Sequence, residues 1–427
     1  MIALPRTLRA PRARNDHREG MLTVSGAELE ALATMTDHPT TLPLLQRARI
    51  SRNLAFLAAA LRGGRDNAHQ VARAGFDLLA EVQRRNPAVV REVLLHPRFG
   101  GWVTVCAVRA HGNGAAPEAD PPVAHLASFA AAAAVQAGVE FDLELPQSGD
   151  AVVLPGLGCW TGPVAMSVRV RYDGKTAPLP DGYRWTPLRR LSAQLADRAV
   201  DVEFDDLPPT PSTWPDEPVD GPESRWEPRS DAEFRLWQHR FDAALELLGT
   251  VVPELAAPLS RGMRAVLPRS QETYSFVSAT LTDSFGATAM LLPADAVKMA
   301  AGLLHEFQHS KLGALMEIRP LITVDGPADL PSPWRAEPRP ASAVLHGVYA
   351  HVAVARLLRR AAATSTAPRR HIARPSLCAD PVTQAAIAAC DTLLGSDRLT
   401  PAGRRFVILM RRTAATDSDG RPAAPIP

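Results

Sequence analysis

The residues of this chain best suited to chemistry are His305-Glu306-Phe307-Gln308-His309. Two imidazoles four positions apart on a helix project from one face about one turn from each other, the separation two ligands need to grip one metal ion. Glu306 stands about 100° round the same helix from His305. Beside a zinc ion such a carboxylate is the base that activates metal-bound water. Apolar residues, Leu303, Leu304, Phe307, Leu312 and Leu315, surround the motif, so a fully solvated pair of histidines does not explain the pattern.

A metal so held needs a third ligand, and Asp325, Asp329, Glu337, His346 and His351 follow the motif. Residues 341–360 read as an apolar helix that packs beside the motif helix, with His346 aimed at the ion and Tyr349 toward a substrate. A core histidine bonded to a backbone carbonyl is the competing reading of His346. His351 lies about 140° from His346 round that helix and is not expected to share the task. Glu337 would complete a two-histidine, one-carboxylate set of the non-haem iron type. Its flanking prolines suit a solvated carboxylate equally, so the choice between His346 and Glu337 stays open.

The elements that must position these groups can be traced along the chain. Residues 292–316 hold no proline after Pro293 and predict one long helix. Residues 273–282 and 287–292 read as strands before it, where Ser278, Thr280 and Asp283 either bond a ligand or face solvent. Residues 333–340 are rich in proline and predict a stiff loop. Ser25-Gly-Ala-Glu28 and Ser230-Asp-Ala-Glu233 are capping boxes that open helices. Leucine and valine at three- and four-residue spacings over 25–97 predict a helical bundle, and 124–138 a further helix ending at Gly138. Alternation begins at 139, so 139–190 reads as a small antiparallel sheet. His96 and His125 are expected to be structural.

These signals divide the chain into an extended or disordered start (1–24), a helical unit (25–138), a small β-rich region (139–206), a linker or covering loop (207–229), a mostly helical catalytic unit (230–412) and a disordered tail (413–427). The fold class is α+β, mainly helical, with small antiparallel sheets and a long metal-binding helix. Ligands on helices exclude a double-stranded β-helix. With 46% hydrophobic and 22% charged residues in 427, the chain can bury a sizeable core. Forty-seven basic against 45 acidic residues leave a charge of +2 and no field to hold a nucleic acid. No apolar run of about eighteen uncharged residues indicates a membrane span. Cys106, Cys159, Cys378 and Cys390 form no CxxC pair and no secretory signal opens the chain, so a cytoplasmic, reducing setting is expected.

The wider sequence resembles a family. His305-Glu-Phe-Gln-His-Ser-Lys-Leu-Gly-Ala-Leu315, Pro333-Trp-Arg335, Glu337-Pro-Arg-Pro340 and Leu345-His-Gly-Val-Tyr-Ala350 are similar to the HExxH-type 2-oxoglutarate-dependent peptide β-hydroxylases, bacterial enzymes that modify ribosomally made peptides. Residues 25–61, 125–134 and 152–158 carry the likeness too. The resemblance implies Fe(II), 2-oxoglutarate and molecular oxygen, with hydroxylation at Cβ of a residue in a precursor peptide. Three protein ligands would leave three octahedral positions, two for the keto acid and one for oxygen. The distal carboxylate of the cosubstrate then needs a cation, for which Arg335 and Arg339 are the candidates and Lys311 a weaker one. Glu306 would orient a ligand or bind the metal itself. Two other classes remain. One is a zinc peptidase with Glu337 as third ligand and Glu306 as base; the other is a peptide-binding protein without catalysis.

Overall fold

A computed structural model of the chain describes residues 22–62, 64–111, 122–176, 180–210, 228–269, 278–280, 283–323, 326–363 and 379–418. Helices open the molecule: α1 (Gly26–Thr34), α2 (Thr41–Ala60), α3 (Asn67–Arg85), α4 (Pro87–Leu95), α5 (Pro97–His111) and α6 (Leu126–Ala137). Ser25 caps α1 with the reciprocal bonds of a capping box, and Gly138 ends α6 at φ 65°, as their residue types require. Seven strands follow: β1 (Phe141–Pro146), β2 (Ala151–Leu154), β3 (Gly158–Thr161), β4 (Ser167–Tyr172), β5 (Arg184–Pro187), β6 (Arg189–Leu195) and β7 (Arg198–Phe204). The second half contains α7 (Asp231–Val251), α8 (Pro253–Gly262), β8 (Ala265–Arg269), β9 (Ser278–Thr280), β10 (Ala287–Leu291), α9 (Ala296–Ile318), β11 (Leu330–Ser332), β12 (Arg335–Arg339), α10 (Ala341–Ala363), α11 (Ala379–Gly395) and α12 (Pro401–Ser418). The fold is α+β, with no closed barrel among the described residues.

The strands expected to make one small antiparallel sheet over 139–190 make two. β1 pairs with β4, β2-β3-β5 form a second small antiparallel sheet, and β6 and β7 leave both to join strands from the far side of the linker. In the resulting five-stranded sheet, ordered β6-β7-β8-β10-β9, the β7–β8 and β8–β10 pairings are parallel and the outer two antiparallel. Parallel neighbours need a long crossover, and α7 with α8 supplies it between β7 and β8. The expected boundary at 206 therefore cuts a continuous sheet. The expected loop at 333–340 is also different, because Arg335–Arg339 pairs with Leu330–Ser332 as a short hairpin. The expected tail from 413 begins as helix, since α12 continues to Ser418. Residues 1–21 and 211–227 lie outside the described residues.

Two large hydrophobic cores and two small clusters result among the described residues. The first gathers Leu57, Leu79, Trp102, Phe129 and Trp160 from α2 to the small sheets. The second joins Leu29 and Leu45 of α1 and α2 to Phe204, Phe241, Leu304, Phe307, Val348 and Phe406. Helix α2 thus belongs to both. A buried ion pair also crosses between them: Arg98 of α5 donates to both carboxylate oxygens of Asp205 after β7, at 2.6 and 2.8 Å, with both side chains 2% exposed. Such geometry offsets desolvation only when the remaining donors are satisfied. Here they bond the carbonyls of Leu207 and Pro208. Helix α10 is long and apolar enough for a membrane span, but 72% of that stretch is buried inside the fold. This is the environment of a core helix.

Candidate metal centre

Asp295 accepts the Lys298 amide hydrogen at 2.8 Å and starts α9 just after Pro293, as an N-cap should. From there the helix runs unbroken to Ile318 and carries the motif through its middle. Leu303, Leu304 and Phe307 point into the second core, and Gly262 makes room for the Phe307 ring, which a Cβ there would approach to 2.5 Å. The histidine face turns the other way, toward α10, and is half-buried at His305 and His309.

The Nε2 atoms of His305 and His309 stand 3.0 Å apart. With metal–nitrogen bonds of about 2.1 Å, two neighbouring ligands of an octahedral ion lie about 3.0 Å apart and those of a tetrahedral ion about 3.4 Å. The pair therefore fits one metal ion with near-right-angle ligation. Burial holds the His305 pKa down to about 4 and, with repulsion from the other imidazoles, His309 to about 2. Both rings are thus neutral around pH 7, the form that binds metal. Glu306 is buried at 2% exposure, and its carboxylate and the two imidazoles offer ligand atoms all within 4.8 Å of one another.

Helix α10 brings two more imidazoles. His346 meets His309 through the Nδ1 atoms, 3.3 Å apart. That nitrogen of His309 is not the one that faces His305, so His346 touches the outer edge of the His309 ring. His351, not expected to take part, packs edge-on against His305 with centroids 4.8 Å apart. Its Nδ1 lies 2.8 Å from the Gly347 carbonyl oxygen. A carbonyl only accepts, so Nδ1 carries the hydrogen and Nε2 keeps a lone pair, the tautomer of a metal ligand. The indole of Trp334 stacks on the same ring at 4.3 Å and 13°. An angle of about 140° places the two histidines on either flank of the face between them, so that one packs against each end of the motif.

Other expected residues fall elsewhere. Glu337 and Arg335 are exposed on β12, and Arg339 is half-buried there. Asp329 is exposed and pairs with Arg398 at 2.9 Å. Tyr349, expected at a substrate, is 1% exposed on the core side of α10 against Phe406, its hydroxyl without a hydrogen-bond partner among the described residues. Lys311 is buried too, its ammonium 5.8 Å from the Tyr349 ring, and burial pushes its pKa down to about 8. Ser278 pairs with Met290 through the backbone of β9, and Asp283 pairs with Arg52. The side chains of Ser278 and Thr280, and all of Asp325, lie outside the described residues. His96 bonds Glu203 and His125 is buried, as structural histidines. Sequence reasoning gave Trp334 and Gly347 no role of their own and set His351 aside; the four-residue step from Gly347 to His351 is the local signal that links those two.

No protein-family model matches the chain, and no curated protein matches its sequence.

Proposed function

We propose that this protein is an Fe(II)- and 2-oxoglutarate-dependent hydroxylase that oxidises Cβ of a residue in a ribosomally made precursor peptide. The observation that carries the metal part is the 3.0 Å approach of two neutral imidazoles across one helical turn. The resemblance of residues 305–315, 333–340 and 345–350 to the peptide β-hydroxylases supports the rest. Bound Fe(II) would supply oxygen activation coupled to oxidative decarboxylation of the keto acid.

The chain's own residues have distinct tasks in this reading. His305 and His309 hold the metal through Nε2. Of the two α10 histidines, His351 has the free Nε2 for the third position, while His346 fixes the His309 ring. Trp334 keeps His351 in place and excludes water on that side. Glu306, buried beside the ligands, accepts a hydrogen bond or holds a proton there. Arg335, next in the chain to Trp334, or Arg339 would grip the distal carboxylate of 2-oxoglutarate with two parallel hydrogen bonds. Half-buried histidines leave the site open to a peptide from solvent. Buried free thiols at Cys106, Cys159 and Cys390 suit a reducing, cytoplasmic setting.

A zinc peptidase keeps one supporting observation, the buried Glu306 carboxylate near both imidazoles. Its expected ligand Glu337 is exposed, which weighs against it. Anaerobic reconstitution with Fe(II), followed by 2-oxoglutarate, air and candidate precursor peptides, separates the readings. Succinate formed together with a peptide gain of about 16 Da, one oxygen atom, supports hydroxylation. Peptide cleavage that persists without oxygen or keto acid and dies in Glu306→Gln would establish the peptidase instead.

A further inference from the structure

A polar cleft of about 480 Å³ opens where the two cores meet, and its lining residues are distinct from those of the metal centre. Val93 and Phe129 of the first core and Val200 and Met263 of the second stand in its walls. Its volume falls in the range of small-molecule sites, and boundaries between structural units are where such sites concentrate.

Five arginines and three carboxylates line the cleft. Every carboxylate is engaged. Glu203, 8% exposed, accepts from His96 Nε2 at 3.0 Å and from Arg190 at 3.2 Å. The tautomer follows because His96 Nδ1 accepts the Arg98 amide hydrogen at 3.1 Å. Glu92 holds Arg264, and Asp201 accepts from the Ser192 hydroxyl. Arg261 is tied to Asp37 at 2.8 Å. Two guanidinium groups are left over. Among the described residues, Arg91 donates only to the neutral side-chain oxygen of Gln46, at 3.1 Å, and Arg198 has no acid partner. Both are exposed.

Like charges gathered in one concavity raise its potential, and an anion that bridges them relieves the repulsion while gaining charge-assisted, two-pronged hydrogen bonds. We infer that this cleft binds a small polyanion, a molecule with two or more phosphate or carboxylate groups, held by Arg91 and Arg198. The ligand would also join α4 of the first core to β7 of the second-core sheet. This inference is independent of the metal reading, because it concerns other residues and is read by binding alone.

Calorimetric titration of the full chain with pyrophosphate and, separately, with citrate tests it. Saturable one-to-one binding of either probe is expected, weaker in high salt. Pyrophosphate alone would indicate a phosphate ligand, citrate alone a polycarboxylate. Loss of one guanidinium in Arg198→Gln should weaken binding about tenfold, and Arg91→Gln/Arg198→Gln further still. Arg198→Lys, which keeps the charge but not the fork, should retain part of it. Circular dichroism checks that the exposed substitutions leave the fold intact. No saturation by either probe below about 1 mM, or equal affinity in wild type and double variant, overturns the inference.

Discussion

Replacing Gly347 by alanine probes the metal centre without touching any ligand. A Cβ there would lie 2.7 Å from Cζ3 and 2.8 Å from Cε3 of Trp334. Carbon atoms do not pack that closely, so the indole must move off the His351 ring it covers at 4.3 Å. Lost stacking costs about 0.5–1.5 kcal/mol. Alanine in place of glycine inside a helix contributes about 0.5–1 kcal/mol in the other direction. The two nearly cancel, so the metal-free protein should melt within about 2 °C of wild type. Metal affinity has no such offset. Loosening a group that holds a ligand ring typically weakens metal binding about 10- to 100-fold. A chelator competition with Co(II) or Fe(II), run beside a thermal melt of the metal-free protein, measures both quantities. An unchanged metal Kd, within about twofold, would refute the claim that Trp334 and His351 support the centre.

Further outcomes follow from the same geometry. His305→Ala and His309→Ala should each lower metal content to about a tenth of wild type or less, by elemental analysis, with the helical circular dichroism kept. His351→Ala should do the same if it is the third ligand, whereas His346→Ala should keep near-stoichiometric metal with about 10- to 100-fold weaker affinity; the reverse pattern would exchange their roles. Asp205→Asn leaves the Arg98 guanidinium buried without its counter-charge and should cost about 3–5 kcal/mol in urea unfolding. His125 is 6% exposed and burial holds its pKa at about 4, below the ordinary 6.5. The unfolded chain therefore takes up a proton before the native one does. This contribution is constant above pH 6.5, shrinks as pH falls toward about 4, and amounts to about 3 kcal/mol. His125→Leu should flatten that part of the stability profile, and an unchanged slope between pH 6.5 and 4 would show that His125 ionises freely in the native state.

Much of the site's framework was legible in the residues themselves. Ser25, Ser230 and Asp295 start helices because a side-chain oxygen can bond a free amide one turn on. The proline-free run after Pro293 forces one helix through His305 and His309, and the period of that helix alone puts both imidazoles on one face. Burial of Phe307 and Leu304 follows from the same period. These are local properties, set by bonds and contacts within a few residues.

What lay across the chain was decided by tertiary structure. β6 and β7 look like neighbours of β1–β5 in sequence, yet pairing edges and apolar faces were available on β8, beyond a long connection, and no local signal records that choice. Glu337 and His346 were equal candidates from composition, and the hairpin left one in solvent while helix packing brought the other to His309. His351 reaches His305 only because α10 lies against α9 with a glycine at 347, where the indole of Trp334 fills the missing side chain's place. Local energies determine which residues share a face, but which faces meet depends on how the apolar surface of the whole chain is buried, and that is a property of all its segments together.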